Sequence, residues 1–142
     1  MAVAADRLAL IAESFQLLTG QKLIDSDGDL WTAPRAILAH GTEPDPVFFY
    51  GNALTLSLFE MTPEQFAQLP SRLSAEPVHR DERARLLDRV TRDGYIDDYA
   101  GIRISATGRR FRIEQAVVWN LIDAEGRIHG QAATFDRWTM LG

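Results

Sequence analysis

Three amide side chains are candidates for contacting a small molecule. Asn52, Gln115 and Gln131 fall among apolar residues, and each would need a hydrogen-bonding partner if it were buried. A ligand is one such partner, because an amide donates and accepts at the same group. A backbone group at a turn or a sheet edge is the other. Among the three, Gln131 is the residue that we most expect to contact a ligand.

Two arginines offer a second kind of binding chemistry. The planar guanidinium of Arg103 or Arg109 could hold a carboxylate with two parallel hydrogen bonds. The same side chains could instead pair across strands with Asp97, Asp98 or Glu114. We expect the pairing within the sheet and keep the ligand clamp as the alternative.

Motifs of enzyme catalysis are absent from the sequence. It has no nucleophile elbow, phosphate loop, dinucleotide-binding fingerprint or metalloprotease helix, and His40, His79 and His129 are not at ligand spacing. The complete lack of cysteine excludes disulfides, thiolate nucleophiles and thiolate-bound zinc. One enzymatic alternative stays open, a small isomerase or hydrolase with a conical α+β cavity. In such an enzyme Asp97 or Asp98 would act as the general base.

An acidic run from Asp25 to Asp29 raises the question of a cation site, because alternating carboxylates are how calcium loops collect oxygen ligands. An EF-hand loop that starts at Asp25 needs glycine at its sixth position and glutamate at its twelfth. Leu30 and Ala36 stand at those positions. We therefore expect an ordinary acidic turn.

The composition limits the partners of the chain. Its 142 residues suit a single domain, residues 1–142, and a domain of this size buries roughly 68–70% of its unfolded surface. A formal net charge of −5 opposes binding to phosphate backbones, so nucleic acid is not expected as a direct partner. Asp6, Arg7 and Glu13 interrupt the apolar start. We therefore expect neither a signal peptide nor a membrane span, and a cytoplasmic location.

An amphipathic helix is predicted for residues 1–20. Gly20 suits the position that ends such a helix. Two heptads are too short for an independent coiled coil, so the apolar stripe needs a partner. That partner is either the outer face of the chain's own sheet or a second copy of the chain, in a homodimer formed through this helix or through a sheet face. The stripe has alternating spacings of four and three: Ala4, Leu8, Ile11, Phe15 and Leu18.

Two strands and several short helices are predicted to follow. Residues 35–39 and 47–52 are apolar runs separated by a connector with one glycine and two prolines, which is typical of a hairpin with a long turn. A short helix is predicted at 53–59, and Thr62-Pro-Glu-Gln65 has the sequence of a capping box with proline at the first helical position. A longer helix is predicted at 81–93, with most of its charges on a solvated face.

Three consecutive antiparallel strands joined by two tight turns are predicted between Tyr95 and Phe135. The small residues Gly130, Ala132 and Ala133 leave room beside the sheet, so we expect a pocket there. Strict alternation along the middle strand predicts one shared, inward face. The residues of that face are Phe111, Ile113, Gln115, Val117, Trp119 and Leu121, with Arg112, Glu114 and Asn120 on the other face.

The predicted pocket combines apolar side chains of the helices and the sheet with the polar side chains that fall among them, which suits a flat or apolar ligand. The same apolar residues could also fill a plain core, because a domain must pack its own interior. The apolar candidates are Phe49, Phe59, Phe66, Ile104, Phe111, Ile113, Val117, Trp119, Ala133 and Phe135, and the polar candidates are Asn52, Arg103, Gln115 and Gln131.

The order of elements, a helix, two strands, several short helices and a three-stranded meander, resembles that of the PAS sensory fold. A more specific resemblance rests on several short motifs between about Ala36 and Trp138. They are His40-Gly-Thr-Glu-Pro-Asp-Pro46, Tyr50-Gly-Asn52, Leu58-Phe-Glu-Met61, Leu69-Pro-Ser-Arg-Leu-Ser-Ala-Glu-Pro77, Tyr99-Ala-Gly-Ile-Arg-Ile-Ser105, Gly108-Arg-Arg-Phe111, Val118-Trp-Asn-Leu121 and Gly130-Gln-Ala-Ala133. Together these motifs resemble the MEKHLA domain family, which is PAS-related, in its standalone bacterial form. The resemblance implies an α+β, PAS-like domain in which an antiparallel sheet of about five strands packs with short helices. The N-terminal helix at 1–20 would precede a core at 36–138.

The resemblance also implies a module that senses a small molecule or a redox state, or that mediates protein association. Cysteinyl-flavin photochemistry is excluded because the chain has no cysteine, whereas non-covalent flavin or another flat ligand stays open. A haem-binding PAS protein would use a histidine near the place of His79. Charged neighbours at 80–83 favour an exposed histidine there instead.

The sequence therefore leaves three alternative hypotheses about the function of the chain. The leading hypothesis is a cytoplasmic signalling module that binds a small molecule between its sheet and its helices. The alternative is an interaction module with a filled core that dimerises. The third is the isomerase or hydrolase described above, with Tyr99 or Trp119 shaping its cavity.

Overall fold

The computed structural model describes residues 5–24, 28–75 and 80–141. In these ranges the helices are α1 (Ala5–Thr19), α2 (Ala53–Phe59), α3 (Pro63–Phe66) and α4 (Arg80–Asp93), with one turn of 3-10 helix at Ser71–Ser74. The strands are β1 (Ala36–His40), β2 (Phe48–Gly51), β3 (Tyr95–Ile104), β4 (Arg110–Ile122), β5 (Ile128–Phe135) and β6 (Arg137–Met140). None of the described helices has both the length and the apolar character needed to cross a membrane.

The strands form one antiparallel sheet in the order β2-β1-β5-β4-β3. β4 is central, because β5 pairs with its second half, from Val117 to Ile122, and β6 pairs with its first half, from Phe111 to Glu114. The predicted α+β architecture with a sheet of about five strands is confirmed. β6 is a short sixth strand that the sequence analysis did not anticipate.

The short helices begin at the capping residues that the sequence predicts. Thr62 Oγ1 accepts a hydrogen bond from the Gln65 backbone N–H at 3.1 Å, and Gln65 Oε1 accepts one from the Thr62 N–H at 3.0 Å. This reciprocal pair is the predicted capping box of α3. At the end of α1, Gly20 has a φ of 75°, the left-handed conformation that glycine adopts without strain. Local sequence therefore fixes where these helices start and stop.

Helix α1 covers one side of the sheet, here called the outer face. Ile11 and Phe15 are fully buried there against Trp119 and Leu121. The rings of Phe15 and Trp119 meet edge to face with centroids 4.9 Å apart. The indole N–H of Trp119 donates to Ser14 Oγ at 3.0 Å. The apolar stripe of α1 therefore packs on the chain's own sheet, which is the first of its two predicted partners.

Helices α2, α3 and α4 lie against the opposite side of the sheet, here called the inner face. Phe48 and Phe66 stack there with ring centroids 4.3 Å apart. Phe59 meets Phe111 edge to face at 5.2 Å. α4 contributes Val90, which is fully buried. Aromatic packing thus fills the end of the inner face that lies under α2 and α3.

The alternation of side chains along β4 breaks at Gln115, so the prediction of one shared face from Phe111 to Leu121 is wrong. Gln115 has a φ of 49°, in the left-handed region. The pairing between β3 and β4 also shifts register here by one residue. Such a bulge reverses the side to which the following residues point. Phe111 and Ile113 accordingly lie on the inner face, and Val117, Trp119 and Leu121 on the outer face.

A cavity under helix α4 as the candidate functional site

A cavity lies on the inner face between the sheet and α4. It encloses about 50 Å³, and the wider depression measures about 540 Å³ when its solvent-filled mouth is included. The smaller figure decides what can be buried, because the larger one includes open solvent. At roughly 10–15 Å³ for each water molecule, the enclosed part has room for about three to five waters or one small organic molecule.

The wall of the cavity is mostly apolar, with a minority of polar side chains. The apolar side chains are Leu38, Phe48, Phe59, Leu86, Leu87, Ile113, Ala116, Val118, Ala133 and Phe135. The polar side chains are His40, Ser74, Arg83, Tyr99, Arg103 and Gln131. This mixture is typical of small-molecule sites, in which a few polar groups orient a ligand against an apolar surface.

Four of the nine predicted site residues come together at this wall, namely Phe59, Arg103, Gln131 and Phe135. Phe66 and Phe111 are buried on the same side of the sheet, but they lie behind the wall and pack on Phe48 and Phe59. These six side chains therefore share the inner face, where four line the cavity and two belong to the core behind it.

Asn52 has a different place, in a buried network that holds the hairpin to α2. Its Oδ1 accepts from the Ile37 N–H at 3.0 Å and from the Thr55 N–H at 3.2 Å and hydroxyl at 2.9 Å. Its Nδ2 donates to the carbonyls of Leu30 at 2.9 Å and Arg35 at 2.8 Å. All four of its hydrogen-bonding sites are therefore used within the chain. This amide has the backbone partners that were the alternative to a ligand.

Gln115 and Trp119 lie away from the cavity because of the β4 bulge. Gln115 is exposed, and its Oε1 accepts from the Arg137 guanidinium at 2.6 Å. Trp119 is fully buried on the outer face. Phe49 and Val117, also predicted for the pocket, contact the same outer-face cluster.

Gln131 is part of the cavity wall and also connects the sheet to α4. Its Nε2 donates to the Leu87 carbonyl at 3.2 Å, to Thr91 Oγ1 at 3.0 Å and to Asn120 Oδ1 at 3.1 Å. Asn120 in turn donates to the Val90 carbonyl at 3.0 Å. The Gln131 Oε1 accepts no hydrogen bond from the described residues. Whatever binds to Gln131 therefore competes with, or adds to, the bonds that hold α4.

His40 is a cavity residue that the sequence analysis missed. Its side chain is 8% exposed, and Nδ1 donates to the Gly41 carbonyl at 3.0 Å. Its Nε2 is buried and has no partner among the described residues. Burial, assisted by the positive charge of Arg83, lowers the pKa of His40 below its usual value, so the ring is neutral at pH 7. The lone pair of Nε2 is thus an acceptor without a donor.

Arg83 was missed because the charges of α4 were assigned to a solvated face. Arg83, Leu86, Leu87 and Val90 have the spacing i, i+3, i+4, i+7 of one helix stripe, which was the available signal. The Arg83 guanidinium donates to Ser71 Oγ at 2.6 Å. Burial, followed by the positive charge of Arg103, lowers the pKa of Arg83 to about 10. It remains a cation at neutral pH.

Arg103 reaches the cavity from β3. Its guanidinium lies over the ring of Tyr99, 5.2 Å from the centroid, and donates to the Ile102 carbonyl at 3.1 Å. Gly101 allows this arrangement, since a Cβ there would lie 2.2 Å from the Tyr99 hydroxyl oxygen. Among the described residues no carboxylate is within 4.0 Å of Arg103. The cross-strand ion pair predicted for it is therefore not formed.

The acids proposed as partners or as a general base lie outside the cavity wall. Asp97 and Asp98 are exposed, at a register shift in the pairing of β3 with β4. Glu114 pairs with Arg112 at 4.0 Å, and Arg109 is exposed near the turn between β3 and β4. None of these side chains lines the cavity, so the geometry gives no support to the isomerase or hydrolase alternative.

The acidic turn is described only in part, because Asp25 and Asp27 lie outside the described residues. Asp29 accepts from the backbone N–H and the hydroxyl of Thr32 at 2.8 and 2.7 Å. These hydrogen bonds lower the pKa of Asp29. In the described ranges no group of three or more histidine or acidic side chains could hold a metal ion.

The residues of the cavity do not fit a flavin. Clefts that bind drug-sized ligands measure about 300–1,000 Å³, whereas this cavity measures about 50 Å³. The chain also lacks the cysteine that an adduct would need. His79, the residue considered for haem, lies outside the described residues.

Solved structures with a similar fold are PAS and light-oxygen-voltage domains. The PAS domain of a protein from Colwellia psychrerythraea matches with a TM-score of 0.63 and 13% identity, over 79% of this chain and 90% of that one. A light-oxygen-voltage domain studied with a flavin analogue matches with a TM-score of 0.58 and 14% identity, over 76% and 78%. At these identities the likeness shows the fold alone, and the fold is that of PAS domains.

Curated relatives are plant homeobox-leucine zipper proteins. HOX9 of Oryza sativa subsp. indica is 25% identical over 139 residues, and ATHB-14 of Arabidopsis thaliana is 28% identical over 142 residues. Each alignment covers 92% of this chain, but the chain spans only 16% and 17% of the length of those proteins. The family model of the MEKHLA domain matches residues 5–140. The chain therefore belongs to the MEKHLA domain family.

Proposed function

We propose that this chain is a PAS-type sensory module that binds a small molecule in the inner-face cavity and signals through helix α4. The observation that carries the proposal is the convergence of polar groups from different elements on one small, mostly apolar cavity. His40 comes from β1, Arg83 from α4, Arg103 from β3 and Gln131 from β5. His40 Nε2 is buried there without a partner among the described residues, and interiors that only stabilise a fold rarely contain such an atom, because burying it unpaired costs free energy.

The size of the cavity determines the class of ligand. An enclosed volume of about 50 Å³ suits a compact molecule rather than a flat, multi-ring cofactor. Phe59 and Phe135 would contact its apolar part, and Gln131 and Arg103 its polar part. These four are the predicted site residues that we retain in the proposed site.

The connection from ligand to signal would run through Gln131. Its Nε2 shares its two hydrogens among Leu87, Thr91 and Asn120. A ligand acceptor that takes one of these hydrogens would weaken a bond to α4, and a ligand donor at Oε1 would fix the amide in place. Either change alters how firmly α4 is held against the sheet. The exposed side of α4 is a surface that a partner could bind.

A thermal-shift screen of the purified chain tests the proposal. A panel of compact charged and uncharged organic molecules is added, and the midpoint of unfolding is measured. A ligand present at a hundred times its dissociation constant adds about 2.7 kcal/mol of stability, which raises the midpoint by roughly 5–10 °C in a domain of this size. We expect at least one compound of the panel to give such a saturable shift.

The matched variants are Ala133→Leu, which fills the cavity, and Ala124→Leu, which makes the same change at an exposed turn position. The shift should disappear in the first variant and persist in the second. No shift in the wild-type chain across the panel would overturn the proposal, and so would a shift that Ala133→Leu leaves intact.

Two further points stay predictions. The homodimer expected through the N-terminal helix or a sheet face would have to use surfaces other than Ile11 and Phe15, which are buried against the chain's own sheet. The cytoplasmic location is the second point that stays a prediction.

A further inference from the structure

Two guanidinium groups face the same cavity without a described carboxylate between them. Arg83 reaches it from α4 and Arg103 from β3. Both line the same cavity, and the charge of Arg103 lowers the pKa of Arg83. The groups that act on Arg83 in the opposite sense are Tyr99 and then Asp45, and Asp45 is itself paired with Arg72 at 3.1 Å. The cavity thus has an excess of positive charge that a bound anion would neutralise.

Two hydrogen-bond acceptors in the same cavity wall have no donor among the described residues. One is Nε2 of His40, whose side chain is more than nine-tenths buried. The other is Oε1 of Gln131. For the buried His40 Nε2, the lack of a donor costs roughly 1–3 kcal/mol. A ligand that carries a donor would therefore be favoured over one that carries only acceptors.

The rest of the wall is apolar. Phe59, Ile113 and Phe135 face the cavity from α2, β4 and β5. A ligand with a short hydrocarbon part would remove this surface from water, whereas inorganic phosphate or sulfate would leave it uncovered. The anion that fits this wall is therefore an organic one.

We infer that the cavity binds a small hydroxycarboxylate, an inference that rests on the proposed function and narrows it. The carboxylate would lie between Arg83 and Arg103, the hydroxyl would donate to His40 or Gln131, and the hydrocarbon part would contact Phe59. A hydroxyl suits the donor position better than an ammonium group, because two cations already face the cavity.

Isothermal titration of the purified chain with four matched compounds tests this inference. α-Hydroxybutyrate carries both the carboxylate and the hydroxyl, butyrate lacks the hydroxyl, and α-hydroxybutyramide lacks the charge. α-Aminobutyrate replaces the hydroxyl by an ammonium group. We expect α-hydroxybutyrate to bind most tightly, with a dissociation constant at least about tenfold below that of each of the others. Inorganic phosphate is the fifth probe and should bind more weakly still.

Variants of the arginines link the binding to the cavity. Arg83→Gln and Arg103→Gln should each weaken binding of α-hydroxybutyrate by about tenfold or more. Arg109→Gln makes the same change at an exposed arginine outside the cavity and should leave the dissociation constant unchanged. Thermal unfolding of each variant shows whether it remains folded. If Arg83→Gln does not fold because its bond to Ser71 is lost, Arg103→Gln alone decides the question.

Failure of this inference can be distinguished from failure of the proposed function. If α-hydroxybutyramide or another uncharged compound binds as tightly as α-hydroxybutyrate, and Ala133→Leu abolishes that binding, the anion is wrong and the sensory cavity stands. Binding of α-hydroxybutyrate that neither Arg83→Gln nor Arg103→Gln weakens also overturns the inference. If no compound of any charge binds in a way that Ala133→Leu abolishes, both the inference and the proposed function fail.

Discussion

The two faces of the same sheet differ in their packing and hydrogen bonding. On the outer face, Phe15 of α1 packs edge to face on Trp119, and the one polar atom of the indole is bonded to Ser14. On the inner face, under α4, polar groups converge on a cavity and two of their acceptors have no donor among the described residues. The outer face is closed around Phe15 and Trp119, although Thr134 Oγ1 opposite Ile37 has no partner among the described residues. The inner face has a cavity under α4.

This difference separates stabilising residues from binding residues within one core. Side chains that only stabilise a fold are expected to have all their polar atoms paired and to leave no room beside them. The packing around Phe15 and Trp119 meets that description, and the region under α4 does not. A large aromatic residue such as Trp119 is therefore weaker evidence for a ligand than a small space beside the unpaired Nε2 of His40.

The largest effect is expected from truncation on the outer face. Trp119→Ala removes a fully buried indole and leaves its space empty, so it should lower the free energy of unfolding by about 3–5 kcal/mol. Urea denaturation measures this loss. Trp138→Ala, at a half-buried indole beside Phe135, is the control and should cost clearly less. Equal losses at the two positions would remove the distinction between a closed outer face and a looser inner one.

A smaller but still large effect is expected at Asn52. Asn52→Ala leaves several buried donors and acceptors unpaired, including the Ile37 N–H and the Leu30 and Arg35 carbonyls, and should destabilise the chain by about 2–4 kcal/mol. Gln115→Ala truncates an exposed amide and should change stability by no more than about 0.5 kcal/mol. If the folded Asn52→Ala variant still binds a ligand normally, Asn52 has a structural role and does not contact the ligand.

The pH dependence of stability should report His40. Its pKa is lowered in the folded state by burial, opposed by the Gly41 carbonyl and Glu43 and assisted by Arg83. The unfolded chain therefore binds more protons than the folded chain as the pH falls through 6.5. Stability should decrease with falling pH in that window, and His40→Gln should make the slope shallower. Urea midpoints at several pH values test this, and identical slopes would show that His40 is not buried as a neutral ring.

The smallest effect is expected at the bulge that makes the two faces differ. Gln115 has a φ of 49°, a conformation that costs a non-glycine residue roughly 1 kcal/mol. Gln115→Gly should therefore stabilise the chain by about 0.5–1 kcal/mol, less the weak exposed bond to Arg137. Gln115→Val should destabilise it, because β-branched residues tolerate this conformation poorly. Stabilisation by valine and not by glycine would mean that β4 has no bulge there.

Local signals in the sequence were sufficient for the order of helices and strands. The capping box at Thr62, the glycine after α1 and the meander after residue 94 act over a few residues, and the structure has each of them. Such local signals could not predict which side chains of β4 share a face. A bulge inserts one residue through a register shift that depends on the partner strand. A glutamine at position 115 does not by itself indicate a bulge.

The same limit applies to the candidate site. Gln131, Arg103, Phe59 and Phe135 were predicted from their residue types, as aromatic side chains of a pocket or as polar side chains among apolar ones, and all four line the cavity. His40 was missed because its burial depends on the close approach of Gly130, where a Cβ would lie 2.0 Å from the His40 carbonyl oxygen. Contacts between residues so far apart in sequence are decided by tertiary packing.

Methyl NMR of the chain during titration with α-hydroxybutyrate tests most directly whether the inner face is the binding face. The account predicts saturable shifts at the methyl groups of Leu38, Leu87 and Ala133, which line the cavity, and none at Ile11, Ile37 and Leu121 on the outer face. Shifts confined to the outer-face methyl groups, or no saturable shift at the cavity methyl groups, would contradict it.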